Sequence, residues 1–356
     1  MTTHAPPRPA TPNELSERPV RLAVIGAGGM GATHATGIKD DPDVEIAWVV
    51  DLDLPRAEHL ARETGARATA SIDEALTDHG VDAVLIALPT SWHRIATEAA
   101  ARAAKHVFCE KPIARTSADG RAMVAACDQA GVALMIGHVV RFFPEYQRIK
   151  EIIDSGELGQ IATVRASRTN PPVQERSSWF ADVEKNGGVV LDLMVHELDT
   201  LCWLFGDVDR LFAQGLTFTD AQPRRDYAMA SLRFRAGAIA HVESSWAHST
   251  HRTSIEIAGK YGLIKYSSDK ASTLTIERTV ALNDKLDRPA RVHSRPAMAS
   301  PHLRELRHFV QCLQTGEAVL IDGAAGVRAI TLANAVLDSM RAGKPVFFNE
   351  DGSVAA

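Results

Sequence analysis

Short runs of branched apolar residues alternate with amphipathic stretches from Val20 to about His138. VRLAVIG, VEIAWVV, a short run near Arg67–Ala70, DAVLIALP, HVFCE and VALMIGH read as six strands. MGATHATGIKD, PRAEHLARETG, a segment from Ser71, HRIATEAAARAAK and TSADGRAMVAACDQAG read as the helices between them. Apolar runs without polar alternation suit strands covered on both faces, and an intervening helix makes successive strands parallel. Right-handed crossovers then predict a doubly wound Rossmann-type sheet, an α/β domain. After Arg141 the rhythm changes. PEYQRIKEIIDSGELG is an amphipathic helix ending at glycine. QIATVRASRTN, RLFAQGLTFTD, DYAMASLRFRAG, AIAHVESSWAH, RTSIEIAGK and GLIKYSS follow as strands, with one helix over roughly 188–205 between the first two. Strands in succession without helices predict a large, mostly antiparallel sheet in an α+β domain. HLRELRHFVQCLQTG and GAAGVRAITLANAVLDSMRAG close the chain as helices, followed by a short VFF strand. The expected organisation is a tail over 1–18, a dinucleotide-binding domain over 19–140, and a substrate and oligomerisation domain over 141–350.

The tail expectation rests on five prolines and almost no large apolar residue in MTTHAPPRPATPNELSERP, too little burial to offset ordering entropy. It carries no basic stretch followed by an apolar core, so no secretory signal is read and a cytoplasmic location is expected. Over 356 residues, 45% are hydrophobic and 23% charged, an ordinary globular balance. Lys and Arg number 39 against 44 Asp and Glu, a net charge of −5, which disfavours nucleic acid as a partner. No apolar run approaches the roughly 18 residues that would cross a bilayer, so no membrane partner is expected. Cys109, Cys127, Cys202 and Cys312 are scattered, without metal or disulfide spacing.

Gly26-Ala27-Gly28-Gly29-Met30-Gly31 lies at the first strand-to-helix turn and fits GxGxxG. Gly26 permits the tight turn, Gly28 lets the backbone approach a pyrophosphate, and Gly31 lets the helix pack on the strand. The helix N-terminus offers N–H groups to phosphate. Asp51 ends the second strand, where an acid accepts from an adenosine ribose. That carboxylate, with Asp53 beside it, repels a 2′-phosphate and favours NAD over NADP, although Arg56 is near enough in sequence to soften the preference. The carboxyl ends of the later strands carry Leu88, Pro89, Thr90 and His93, then Glu110 and Lys111, then His138 and Arg141. Ligands of open parallel sheets sit at that edge. Lys111 precedes Pro112, which restricts its backbone, and its ammonium can donate to a substrate oxygen. A surface pair with Glu110 is the alternative.

In GGVVLDLMVHELD, Asp192 and His196 are four apart and share a helical face, with Asp199 a turn further. Their neighbours are apolar, and burying a carboxylate costs several kcal/mol unless it is paired. Three readings stand. His196 is a general acid/base tuned by Asp192; the two satisfy each other in a core; or both ligate a metal, for which there is no evident third ligand and no HExxH.

GAGGMG, Glu110-Lys111-Pro112 and GGVVLDLMVHELD, in this order, resemble the Gfo/Idh/MocA oxidoreductases, as do GHVVRFFPEY and HFVQCLQTGE. The resemblance runs from about Val20 to about Phe348. It implies a Rossmann domain followed by an α+β domain whose open sheet supports dimers or tetramers. It implies Lys111, Asp192 and His196 as the catalytic set, and NAD as cofactor. A sugar, polyol or inositol is the implied substrate, oxidised at a secondary alcohol. Glu197 stands where many members have aspartate. Trp179 lies in a loop that lines the substrate pocket in similar proteins, with Arg168, Asn170 and Arg176 as further candidates; solvated loop positions are the alternative for each. Two other functions stay open: tightly held cofactor used transiently in glycoside cleavage, epimerisation or transhydrogenation, and a non-catalytic NAD-binding regulator.

Overall fold

The computed structural model describes residues 8–172, 186–218, 225–270, 273–278, 290–292 and 299–355. The chain divides into two compact units. One comprises residues 1–139 and 299–327, the other 140–298 and 328–356.

The first unit holds six strands: β1 (Val20–Ile25), β2 (Val44–Val50), β3 (Arg67–Thr69), β4 (Ala83–Ile86), β5 (His106–Glu110) and β6 (Leu134–Gly137). Their spatial order is 3-2-1-4-5-6 and every pairing is parallel. This is the doubly wound order, with the strand order reversing between β1 and β4. Val24, Leu85, Ile86, Val107 and Phe108 are fully buried, as strands covered on both faces require. The helices are α1 (Pro12–Ser16), α2 (Gly29–Ile38), α3 (Leu54–Thr64), α4 (Ile72–Thr77), α5 (His93–Arg102) and α6 (Ser117–Ala130). Local chemistry sets their ends. The Asp53 side chain accepts from the Arg56 N–H at the start of α3, and Gly65, at φ 74°, stops it.

Two expectations are corrected here. Within the expected tail, Pro12–Ser16 is helical. Thr11 and Glu14 form a capping box, proline occupies the first turn, and Leu15 is fully buried. One apolar residue suffices because α1 packs on a later helix, Pro301–Thr315, and the Leu15 carbonyl accepts from Gln314. That helix belongs to the first unit, not to the second domain. It also packs on α2, so the first unit is completed by a helix that begins 164 positions after β6 ends, 301 − 137.

The second unit contains α7 (Pro144–Asp154), β7 (Ile161–Thr169), a π-helical turn (Val190–Met194) running into α8 (Val195–Phe205), then β8 (Val208–Phe218), β9 (Arg225–Phe234), β10 (Ile239–Ser245), β11 (Arg252–Gly259), β12 (Gly262–Ser267), β13 (Leu274–Arg278) and β14 (Ala290–Val292). After α9 (Pro301–Thr315), α10 (Gly323–Ala342) leads to β15 (Val346–Phe347). The nine-stranded sheet runs 14-13-12-11-7-10-9-8-15. It is antiparallel except where β7 and β10 pair in parallel. β13 and β14 were not anticipated from the pattern. One face is apolar and buried: Val164, Ala166, Ala228, Ala230, Ala240 and Val242. The register places Phe212, Leu216, Met229 and Ile239 together on the opposite face, where all four are exposed. No helix among the described residues is long and apolar enough to cross a membrane.

Beneath the apolar face, Arg141 Nε donates to Asp199 Oδ2 at 2.9 Å and its Nη2 to Oδ1 at 2.6 Å. Both side chains are buried, so removing one leaves the other charge in a dry interior. Asp199→Ala is expected to cost roughly 3–5 kcal/mol of stability, read as a lower midpoint in urea denaturation. A midpoint equal to that of the unaltered chain would contradict this.

Candidate functional site

In the nucleotide unit, Gly26 and Gly31 of the first turn stand where a side chain would not fit. Gly26 has φ +104°, and a Cβ there would lie 2.6 Å from the Ala87 carbonyl oxygen. A Cβ on Gly31 would lie 1.8 Å from the Gly26 carbonyl oxygen, so α2 reaches the strand only because residue 31 has no side chain. A Cβ on Gly28 would meet nothing within 4 Å among the described residues. The backbone is open at the point where a phosphate would approach, with Gly28 as N-cap and Gly29 and Met30 opening the helix. This cradle fits a dinucleotide. Asp51 is held at its edge: Oδ2 accepts from the Ala27 N–H at 2.9 Å and Oδ1 from the Asp53 N–H at 2.9 Å. Arg56 is drawn back onto Asp53 at 2.7 Å, with Asp51 at 3.5 Å. Two carboxylates therefore flank one guanidinium.

At the ends of β4 and β5 the structure revises two expected cofactor contacts. His93 is buried, with Nε2 2.8 Å from the Leu88 carbonyl and Nδ1 2.9 Å from the Pro112 carbonyl. Burial pushes its pKa down, the carbonyl contacts opposing. It ties the loop at Leu88, Pro89 and Thr90 to the loop after Lys111 and has no ring nitrogen left for a cofactor. Glu110 likewise turns inward. Its Oε1 lies 2.7 Å from His34 Nε2, and its Oε2 accepts the Lys111 main-chain N–H at 3.0 Å. Burial acts to raise Glu110, but the His34 bond and charge and the nearby Lys111 outweigh it and hold the carboxyl below its usual range. The alternative of Lys111 simply pairing with Glu110 at the surface is thereby replaced: a buried carboxylate grips the lysine's backbone. His138, at the end of β6, is buried.

In the second unit Asp192 lies in the π-helical turn and His196 in the first turn of α8. A regular helix was expected over this stretch; instead the Val195 N–H reaches back to the Val190 carbonyl, five residues away. Such turns insert an extra residue and cluster at functional positions. The chain enters through Gly187 and Gly188, both at positive φ, and the Gly188 N–H donates to Asn186 Oδ1 at 2.6 Å. His196 is buried and Asp192 half-buried.

The nearby charges separate into distinct roles. Asp199 serves Arg141. Arg168 Nε donates to both Glu197 oxygens, at 2.8 and 3.0 Å, and both side chains are buried. Arg168, read as a substrate-pocket candidate or a solvated loop position, is buried in an ion pair, which replaces the solvated alternative. Glu197 is the residue that neutralises it. Asn170 bonds His251 through Oδ1 and the Ser245 carbonyl through its N–H. Burial, and after it the Arg168 charge, pushes His251 down. Arg176 and Trp179 lie outside the described residues. His34 and His251 escaped the sequence reading, and Glu197 was read only as a departure from the family pattern, since each gains its meaning from a partner at least 29 positions away.

Comparison with known proteins follows the same division. Residues 20–138 match the family model described as "Oxidoreductase family, NAD-binding Rossmann fold", and residues 146–265 that of the GFO/IDH/MocA C-terminal domain. Myo-inositol 2-dehydrogenase of Thermotoga maritima is 28% identical over 93% of this chain and 99% of its own length. The 2,7-anhydro-N-acetylneuraminate hydratase of Escherichia coli is 32% identical over 69% and 67%. Levoglucosan dehydrogenase in complex with NADH and levoglucosan superimposes with a TM-score of 0.84, at 23% identity, over 94% of this chain and all of its own, a likeness of fold.

The open backbone at Gly28 and the closed one at Gly31 make opposite expectations. Gly28→Ala should keep the melting temperature and weaken NADH binding at least tenfold, measured by fluorescence titration. Gly31→Ala should lower the melting temperature itself. Unchanged NADH affinity in a folded Gly28→Ala protein would remove that position from the phosphate cradle.

Proposed function

Because the chain belongs to the GFO/IDH/MocA oxidoreductases, with an NAD-binding Rossmann domain, we propose that it reversibly oxidises a secondary alcohol of a sugar, polyol or inositol. When bound, NAD supplies the hydride acceptor. The alcohol carbon gives up a hydride, and the hydroxyl proton passes to the imidazole of His196. Asp192, one turn before His196, orients the ring. Lys111 stabilises the alkoxide oxygen as charge develops on it. The observation that carries this reading is the Glu110 clamp. A carboxylate buried at the end of β5 and bonded to the Lys111 N–H sets where that ammonium starts, directly after a strand of the nucleotide-binding sheet. Asn170 and His138 are proposed as substrate contacts, and Asp51 with Asp53 as the reason NAD is preferred to NADP.

His196→Ala should lower kcat by about 10²-fold or more, the usual worth of a general acid/base, while the NADH dissociation constant stays within twofold. Steady-state rates on a panel of inositols, aldoses and sugar acids, with NADH titration, test this; a near-normal kcat would take His196 out of the reaction.

A second reading uses the same residues with cofactor retained and returned to its starting redox state. The relative named as a hydratase supports it. Absorbance in the reduced-nicotinamide band that survives gel filtration would favour this reading, and freely exchanging cofactor the first.

We also propose that the chain forms a homo-dimer or homo-tetramer through the outer face of its nine-stranded sheet, where Phe212, Leu216, Met229 and Ile239 are exposed together. Exposed apolar patches of this kind mark interaction surfaces. Light scattering should return at least twice the chain mass, and a monomer would contradict the proposal.

A further inference from the structure

A group of buried acids and histidines lies behind the Lys111 turn, inside the nucleotide unit. His34 comes from α2, Glu110 from the end of β5, and Glu305 from α9. One ligand-type atom from each lies within 4.8 Å of the others, and all three residues are buried. Glu305 is 0% exposed and, among the described residues, neither of its oxygens has a hydrogen-bond partner. Its Oε1 stands 3.9 Å from His34 Nε2, beyond hydrogen-bond reach but within strong electrostatic range. Phe108 meets the His34 ring edge-on at 5.3 Å, and Phe309 meets Phe108 at 5.8 Å, so the surroundings are apolar.

Two carboxyl groups this close in a dry pocket cannot both ionise. Geometry decides which one keeps a proton. Glu110 accepts two hydrogen bonds, from His34 and from the Lys111 N–H, and both favour its charged form. Glu305 receives none. We propose that Glu305 is a permanently protonated carboxylic acid and a positioning residue, whose neutrality keeps the His34–Glu110 clamp intact and so holds the main chain of Lys111.

The titratable and charged groups facing Glu305, or the carboxylate beside it, come from several elements. They are His34 from α2, His93 from α5, Cys109, Glu110 and Lys111 at the end of β5, and His302 from its own helix. Burial, and after it the Glu110 charge, pushes Glu305 well above the carboxylate range. Its folded pKa therefore exceeds its unfolded one. The fold is most favoured below the unfolded value, and stability falls as pH rises toward the folded value. Glutamine cannot ionise and escapes this loss.

Infrared spectroscopy tests the proton directly. The unaltered protein at neutral pH should show the carbonyl band of a buried protonated carboxylic acid, and Glu305→Gln should lack it. Absence of the band, or its persistence in Glu305→Gln, overturns the proposal. The melting temperature of Glu305→Gln relative to the unaltered protein should climb between about pH 5 and about pH 8; a constant difference overturns it. Positioning is read by deuterium exchange at the Lys111 amide, expected to match the unaltered protein in the neutral Glu305→Gln and to be at least fivefold faster in Glu305→Lys, whose charge competes for Glu110. Equal protection in all three proteins removes Glu305 from the clamp. One equivalent of divalent metal in the purified protein would instead make the three residues a cation site. The consequence for turnover rests on the role of Lys111 given above: Glu305→Lys should lower kcat and leave NADH affinity intact. The band and the exchange rate need no substrate, so failure of the dehydrogenase reading alone would leave them unchanged.

Discussion

A carboxylate taken out of water must find a positive or hydrogen-donating partner, and this requirement organises both units of the molecule. Glu110 finds His34 and the Lys111 N–H. Asp199 finds Arg141, and Glu197 finds Arg168. Each pair joins segments distant in sequence, and each lies beside a residue with a functional reading. The cost of an unpaired buried charge is several kcal/mol, comparable with much of a domain's net stability. Such pairs therefore fix position more than they add stability: an alternative packing that separates the partners is heavily penalised.

This explains why the polar residues near the functional positions are not interchangeable. In the helix that carries Asp192 and His196, four titratable groups occur within eight positions, yet two of them answer to structural partners. Asp199 faces Arg141, which leads into α7, and Glu197 faces Arg168 on β7. Two of the four are thus neutralised by guanidinium groups, and the other two are the ones proposed for chemistry. The π-helical turn has a related effect, because its extra residue sets Asp192 off from the regular repeat of α8.

The nucleotide unit shows backbone and side chain dividing the same work. Phosphate approach is a matter of what is absent: no Cβ at residue 28, and none at residue 31 to push α2 away from β1. Lysine placement is a matter of what is present, a buried acid bonded to the lysine's own N–H. Completion of this unit by Pro301–Thr315 also brings Glu305 behind the Lys111 turn, so a segment read as part of the second domain contributes to the first.

The order of elements was legible from the chain alone, because period and length of apolar runs are local properties. The six strands, the GAGGMG turn with its three glycine roles, the mostly antiparallel second sheet and the helix bearing Asp192 and His196 all follow from spacing. So does Asp51, whose place depends only on the end of β2. Partnership was not legible. Arg168 read as a loop cation until Glu197 met it, His93 as a cofactor contact until two carbonyls enclosed it, and Pro12–Ser16 as tail until α9 covered Leu15. Each of these depends on which distant segment folds back, and pairing energies act through space rather than along the chain. Local pattern determines what a segment becomes, and only tertiary packing decides which of its polar groups are already spoken for.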